Sequence, residues 1–160
     1  MSAEHAAGVS LNRLAVAATN HCLTGCAIGE VLGLAISLAA GWGNVAAIVL
    51  AIALAFVFGY SLTMIPLLRA GLAFGPATRL AAAADTVSIA VMEIVDNAIM
   101  LVIPGAMDAG LLDPLFWGAL VLSLVIAWVV AFPVNRWLIA RGRGHAVVHG
   151  RSGGGGHHHH

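Results

Sequence analysis

Four long apolar segments dominate the pattern of this chain. They lie at about 14–40, 45–68, 80–103 and 115–139. Each has the ~20 residues or more that a helix needs to cross ~30 Å of hydrocarbon. Breaks rich in glycine and proline separate them, and no segment alternates like a barrel strand. The pattern predicts an all-α, polytopic membrane protein, a bundle of four transmembrane helices.

Composition supports a membrane environment. Hydrophobic residues make up 61% of the chain and charged residues only 9%, against roughly 25% charged in soluble domains. The lipid bilayer is therefore the expected solvent, and a net charge of zero leaves no basic surface for nucleic acid. The glycine and histidine run at 153–160 is typical of an engineered linker and tag. We divide the chain into one membrane domain, 1–150, and a tail, 151–160.

The arginines predict an orientation. All of them precede helix one, follow helix four or lie by the second connection: Arg13, Arg69, Arg79, Arg136, Arg141, Arg143 and Arg151. The other two connections have no Lys or Arg. By the positive-inside rule, both termini should lie in the cytoplasm.

Ligand-type side chains interrupt the first apolar segment. Cys22, Cys26 and Glu30 are four residues apart, so they drift by only ~40° per step and share one helix face. Three glycines repeat the same spacing: Gly25, Gly29 and Gly33. Glycines on a membrane helix let a second helix approach closely.

Three carboxylates interrupt the third segment, at Asp85, Glu93 and Asp96. Transfer of each ionised group into hydrocarbon costs ~2.5–3.5 kcal/mol, and every arginine lies near an end of an apolar segment or outside it, too far away to neutralise these acids. Protons or a metal ion should therefore supply the counter-charge. Counting from the arginine that precedes each helix, we expect matching depths for three pairs: Cys22 with Ser88, Cys26 with Met92, and Glu30 with Asp96.

Thiolate and thioether ligands suit Cu(I), whereas imidazole and carboxylate widen the choice to zinc or iron. We predict a metal site, copper favoured, formed by His21, Cys22, Cys26, Met92 and Glu30. The predicted ion or proton path comprises Asp85, Glu93, Asp96 and Asn97. On the tail, His145 and His149 would capture metal on the cytoplasmic side. The alternative is that the sulfur residues only pack and that these two histidines are solvated.

Three motifs carry a family resemblance. They are His-Cys-x-x-Gly-Cys-x-x-Gly-Glu from His21, Ala-Asp-Thr-x-Ser-Ile-x-x-Met-Glu-x-x-Asp-Asn from Ala84, and Pro-x-Asn-Arg-Trp-Leu from Pro133. Over about residues 20–149 the chain resembles bacterial membrane proteins of domain of unknown function 4396, some of which are labelled as copper-related. The resemblance implies a four-helix unit of the bacterial inner membrane and adds weight to copper.

We therefore expect a small multi-pass inner-membrane protein that binds a soft metal ion for transport, delivery or sensing. A metal chaperone or metalloenzyme would be its partner. Stripes of small residues on the second and fourth segments indicate close helix packing and are compatible with a homo-oligomer. They comprise Ala47, Ala51, Ala55, Gly59 and Thr63, and Ala119, Ser123, Ala127 and Ala131. The alternative is a bundle that conducts protons or cations through its carboxylates. A redox enzyme or haem binder is disfavoured, because three residues separate the thiols and the histidines are badly placed for axial pairs. We assign no catalytic residue, and a purely structural scaffold does not explain three buried acids.

Overall fold

The computed structural model describes residues 2–141, with side chains described from residue 11 onward. The prediction of an all-α protein with four long helices is confirmed. The helices are α1 (Ser2–Ala40), α2 (Asn44–Arg69), α3 (Phe74–Val102) and α4 (Pro114–Ala140), and a single-turn 3₁₀ helix, Ala106–Asp108, precedes α4. The described residues form no strand. The predicted metal-capture residues His145 and His149 lie outside the described residues, as does the 151–160 tail.

Two helices begin earlier than the apolar pattern predicts, since α1 starts at Ser2 and α3 at Phe74. The apolar pattern marks only the part of a helix that is compatible with lipid. The helix itself begins earlier, because its backbone hydrogen bonds continue through polar turns. Pro76, expected in the second connection, lies in the first turn of α3. Proline is tolerated there because the first N–H groups of a helix have no partner within the helix.

Three helices of the described chain are long and apolar enough to cross a membrane: Leu11–Ala40, Asn44–Arg69 and Pro114–Ala140. The remaining long helix, α3, has 29 residues and is long enough. It is less apolar because it carries Asp85, Glu93 and Asp96, all of which are buried. Its outward side is apolar, with Ile94 70% and Leu101 62% exposed.

The glycines of α1 pack against the backbone of α2. A Cβ atom added at Gly29 would lie 2.6 Å from the Ala55 nitrogen, and one added at Gly33 would lie 2.7 Å from the Ala51 Cα. At Gly25 the nearest atom would be the Gly59 Cα, at 2.9 Å. The predicted close approach is thus confirmed, and its partner is the small-residue stripe of α2.

Polar contacts identify the two ends of the bundle. At one end the Asn44 side-chain amide donates to the Asp108 carboxylate at 3.1 Å, which joins the α1–α2 and α3–α4 connections. At the other end Arg136 Nε donates to Asn12 Oδ1 at 2.7 Å. Most of the buried polar side chains among residues 11–141 belong to α1 or α3.

Candidate functional site

Buried acids and sulfur atoms lie between α1 and α3 in three layers, which we name after Asp85, Cys26 and Glu30. Every member of the central set is at most 9% exposed: Cys22, Cys26, Glu30, Asp85, Met92, Glu93 and Asp96. The set follows one face of each helix, because the α1 members are four residues apart and the α3 members, at ~100° of rotation per residue, fall within ~100° of one another.

The Asp85 layer joins three helices. Thr63 of α2 donates its hydroxyl to Asp85 Oδ2 at 2.5 Å, and the Cys22 thiol of α1 lies 3.9 Å from Asp85 Oδ1. His21 Nε2 lies 2.9 Å from the same Thr63 oxygen. Asp85 is thereby fixed between a hydroxyl and a thiol, and His21 is directed toward α2.

The Cys26 layer contains the sulfur atoms. Cys22, Cys26 and Met92 belong to one fully buried apolar cluster, completed by small residues of α2 and α4. The Cys26 thiol also faces the Glu93 carboxyl group. Glu93 Oε2 accepts a hydrogen bond of 3.3 Å from the Asn97 amide. The two thiols and the thioether therefore lie together in a buried, apolar environment, with the Glu93 carboxyl group at its edge.

The Glu30 layer holds two adjacent carboxyl groups, Glu30 of α1 and Asp96 of α3. The Ser123 hydroxyl of α4 donates to Asp96 Oδ1. The predicted depth match is confirmed here, since these two acids were expected at one level. Three carboxyl oxygens in this region are buried without a hydrogen-bond partner: Glu30 Oε1, Glu93 Oε1 and Asp96 Oδ2.

No arginine enters these layers. All five arginines among the described residues are exposed: Arg13, Arg69, Arg79, Arg136 and Arg141. Ionised carboxylates at Glu30, Glu93 and Asp96 would lack an arginine partner among the described residues, and an unpaired buried charge is costly in a low-dielectric interior. The arrangement thus suits groups that hold protons or surround a cation.

The predicted metal ligands are spread over the three layers. His21 faces Thr63, Cys22 and Cys26 meet Met92, and Glu30 faces Asp96. Eight residues separate Cys22 from Glu30, which is ~12 Å along a helix. Within residues 11–141, no three His, Cys, Asp or Glu side chains gather as a metal-binding group. The three sulfur side chains are the part of the predicted set that the fold brings together.

The sequence alone assigns two hydroxyl residues, Thr63 and Ser123, to helix packing and misses their contacts with acids. Both occur in stripes of alanine and glycine, which indicate close helix packing. Each hydroxyl instead donates to a buried carboxylate of α3. The signal in the sequence was a lone hydroxyl residue in a small-residue stripe, in a chain whose third apolar segment carries three acids.

The fold and these layers define a helical bundle of membrane type with an acidic, sulfur-containing interior. The chain belongs to the family described as domain of unknown function DUF4396, whose model matches residues 12–144. The match confirms the family resemblance that the three motifs indicated. Comparisons with curated proteins and with solved structures returned no significant match.

Proposed function

We propose that this protein binds a soft transition-metal ion, copper(I), between α1 and α3, for transport, delivery or sensing of that ion. A metal chaperone or metalloenzyme would exchange the ion with it. The observation that carries the proposal is the buried cluster of Cys22, Cys26 and Met92. These side chains come from two helices and are 0–1% exposed.

The chemistry of this cluster favours copper(I) over harder ions. Thiolate and thioether sulfur select Cu(I), whereas zinc and iron also draw on imidazole or carboxylate ligands. The histidine nearest the thiols, His21, is directed toward Thr63 of α2. A site that relies on sulfur alone therefore matches a soft monovalent ion best.

Carboxyl groups beside the thiols support the same function. Asp85 lies by Cys22 and Glu93 lies by Cys26. A thiol must lose its proton to become a metal ligand. If Cu(I) bound the sulfur atoms, each Sγ proton would pass to the neighbouring carboxylate oxygen, which would become a neutral carboxylic acid. The negative charges would thus move from the carboxylates to the sulfur atoms, where the cation would balance one of them, and no further negative charge would be added to the interior.

Copper content tests the proposal. Protein loaded with Cu(I) after removal of the histidine tail should retain one copper per chain, measured by elemental analysis. Cys26→Ser should lose most of it, because a protonated hydroxyl is a hard, weak ligand for Cu(I). Cys22→Ser should behave alike. Adding Met92→Leu to either variant should remove little more, since the site is already broken.

Met64→Leu is the matched control, because Met64 packs in a different cluster, with Leu67 and Ala77, and should keep full copper. Equal copper in the wild type and in Cys26→Ser would contradict the sulfur site. Retention of zinc or iron in place of copper would contradict the choice of copper(I) but would support the same residues as metal ligands.

We further propose that all four helices span the bacterial inner membrane with both termini in the cytoplasm. Two features support this topology: the α1–α2 and α3–α4 connections meet at one end, and the arginines lie toward the other end. A reporter fused after Arg143 should therefore show a cytoplasmic location, and one inserted at Asp108 an outside location. A cytoplasmic signal at Asp108 would contradict the topology.

A further inference from the structure

The Glu30 layer lies beyond the sulfur cluster and is not used by the proposed metal site. Glu30 is 9% exposed and Asp96 is fully buried. Their carboxyl groups are adjacent, yet Glu30 Oε1 and Asp96 Oδ2 receive no hydrogen bond. A buried carboxyl oxygen without a donor is costly. A proton or a cation between the two groups would remove that cost.

A small cavity reaches Glu30 of this pair from one end of the bundle. Its volume is about 30 Å³, enough for a water molecule, and it is partly open. Glu30 and Asn97 line it as polar groups, together with apolar residues that include Ala47 of α2 and both Ala106 and Met107 of the 3₁₀ helix. The cavity therefore lies at the end where the α1–α2 and α3–α4 connections meet.

The charged groups around the pair are all acidic. From α3, Glu93 and Asp96 face Glu30. From α4, Ser123 contributes a neutral hydroxyl that donates to Asp96. The α2 residues that line the cavity are not titratable. Asp108 of the 3₁₀ helix is exposed and accepts a hydrogen bond from Asn44. Among residues 11–141, every arginine is exposed and no positive side chain faces this pair to balance two ionised carboxylates.

A single proton shared by the two carboxyl groups would reduce their charge and supply the missing hydrogen bond. When it resides on Glu30, its O–H donates to Asp96 Oδ2; when it resides on Asp96, the direction reverses. Either form gives the pair one strong O–H···O⁻ hydrogen bond and halves its charge. We propose that Glu30 and Asp96 bind one shared proton, which exchanges through this cavity with the side of the membrane that carries the 3₁₀ helix. This pair shares no side chain with the sulfur cluster of the proposed metal site, and Glu93 lies between the two.

Infrared difference spectroscopy of the protein in lipid, titrated with pH, tests the shared proton directly. The wild type should show a carboxylic-acid carbonyl band at neutral pH that shifts in D₂O. Glu30→Gln should remove this band, and Asp96→Asn should remove or shift it, because both residues hold one proton. Both substitutions nearly preserve size, and continued protection of Cys22 and Cys26 from a thiol reagent confirms folding. A band left unchanged by either substitution would overturn the proposal.

The route of exchange is tested separately. Ala47→Leu places a larger side chain in the lining of the cavity and should slow hydrogen–deuterium exchange of the band several-fold. Ala46→Leu is the matched control, because Ala46 is exposed and does not line this cavity. Equal exchange rates in the two variants would overturn the proposed route. Replacement of the acid band by a carboxylate band when sodium is added at constant pH would show that a metal cation occupies the site, and would also overturn the proposal.

Discussion

Gly29→Leu is expected to disrupt the bundle more than any other single substitution considered. Even the first added atom, Cβ, would lie 2.6 Å from the Ala55 nitrogen and 2.8 Å from the Ala51 oxygen. These are backbone atoms, so no side chain can rotate away. We expect the free energy of unfolding to fall by at least ~3 kcal/mol, the upper end for overpacked interiors. Bound copper should be lost with the fold.

A thiol-reactive fluorogenic dye measures this effect, because Cys22 and Cys26 are buried in the folded protein and react on unfolding. Gly118→Leu is the control, since a Cβ at Gly118 meets nothing within 4 Å. That variant should unfold at the wild-type temperature. A Gly29→Leu protein that is as stable as Gly118→Leu would contradict the backbone contact between α1 and α2.

Thr63→Val is expected to give the second large effect. Valine has nearly the shape of threonine but removes the hydroxyl that donates to Asp85 Oδ2 and contacts His21 Nε2. Loss of a hydrogen-bond donor to a buried carboxylate costs ~1–3 kcal/mol. We expect a loss of that size in the free energy of unfolding, measured by the same dye assay. Neutralising the acceptor with Asp85→Asn should reduce the effect of Thr63→Val, since the two residues form one interaction.

Thr24→Val provides the matched comparison. Thr24 is exposed and its hydroxyl donates only to the carbonyl oxygen of Asn20, one turn earlier in α1. Substitution there should stay within ~0.5 kcal/mol of the wild type. If Thr63→Val were equally mild, the hydroxyl of Thr63 would not be the group that stabilises Asp85.

Much of this architecture follows from spacing along the chain. The glycines of α1 predicted a close helix partner, and counting from Arg13 and Arg79 predicted that Glu30 and Asp96 lie at the same depth. Both results follow from the fixed rise and rotation of a helix. The identity of the partner helix did not follow, because a small-residue stripe occurs on more than one helix and spacing alone does not pair them.

The sequence alone also did not predict that the ligand-type residues are divided among three layers. His21 and Cys22 are neighbours in the chain, yet one side chain faces Thr63 of α2 and the other extends toward Asp85 of α3. Consecutive residues on a helix point ~100° apart, so which of them reaches a given neighbour depends on how the helix is rotated in the bundle. Packing against the other helices sets the rotation of α1 about its axis, and the motif in its sequence does not predict that rotation.

The backbone contact between α1 and α2 restricts how this bundle can move. Side chains between helices can change rotamer and permit sliding, whereas glycine and alanine backbones in contact have no such freedom. Turning α1 about its axis would drive Gly29 into the turn of α2 that contains Ala55, so these two helices behave as a single rigid part. Any motion that opens the acidic layers must therefore displace α3, and α3 carries three of the four buried acids.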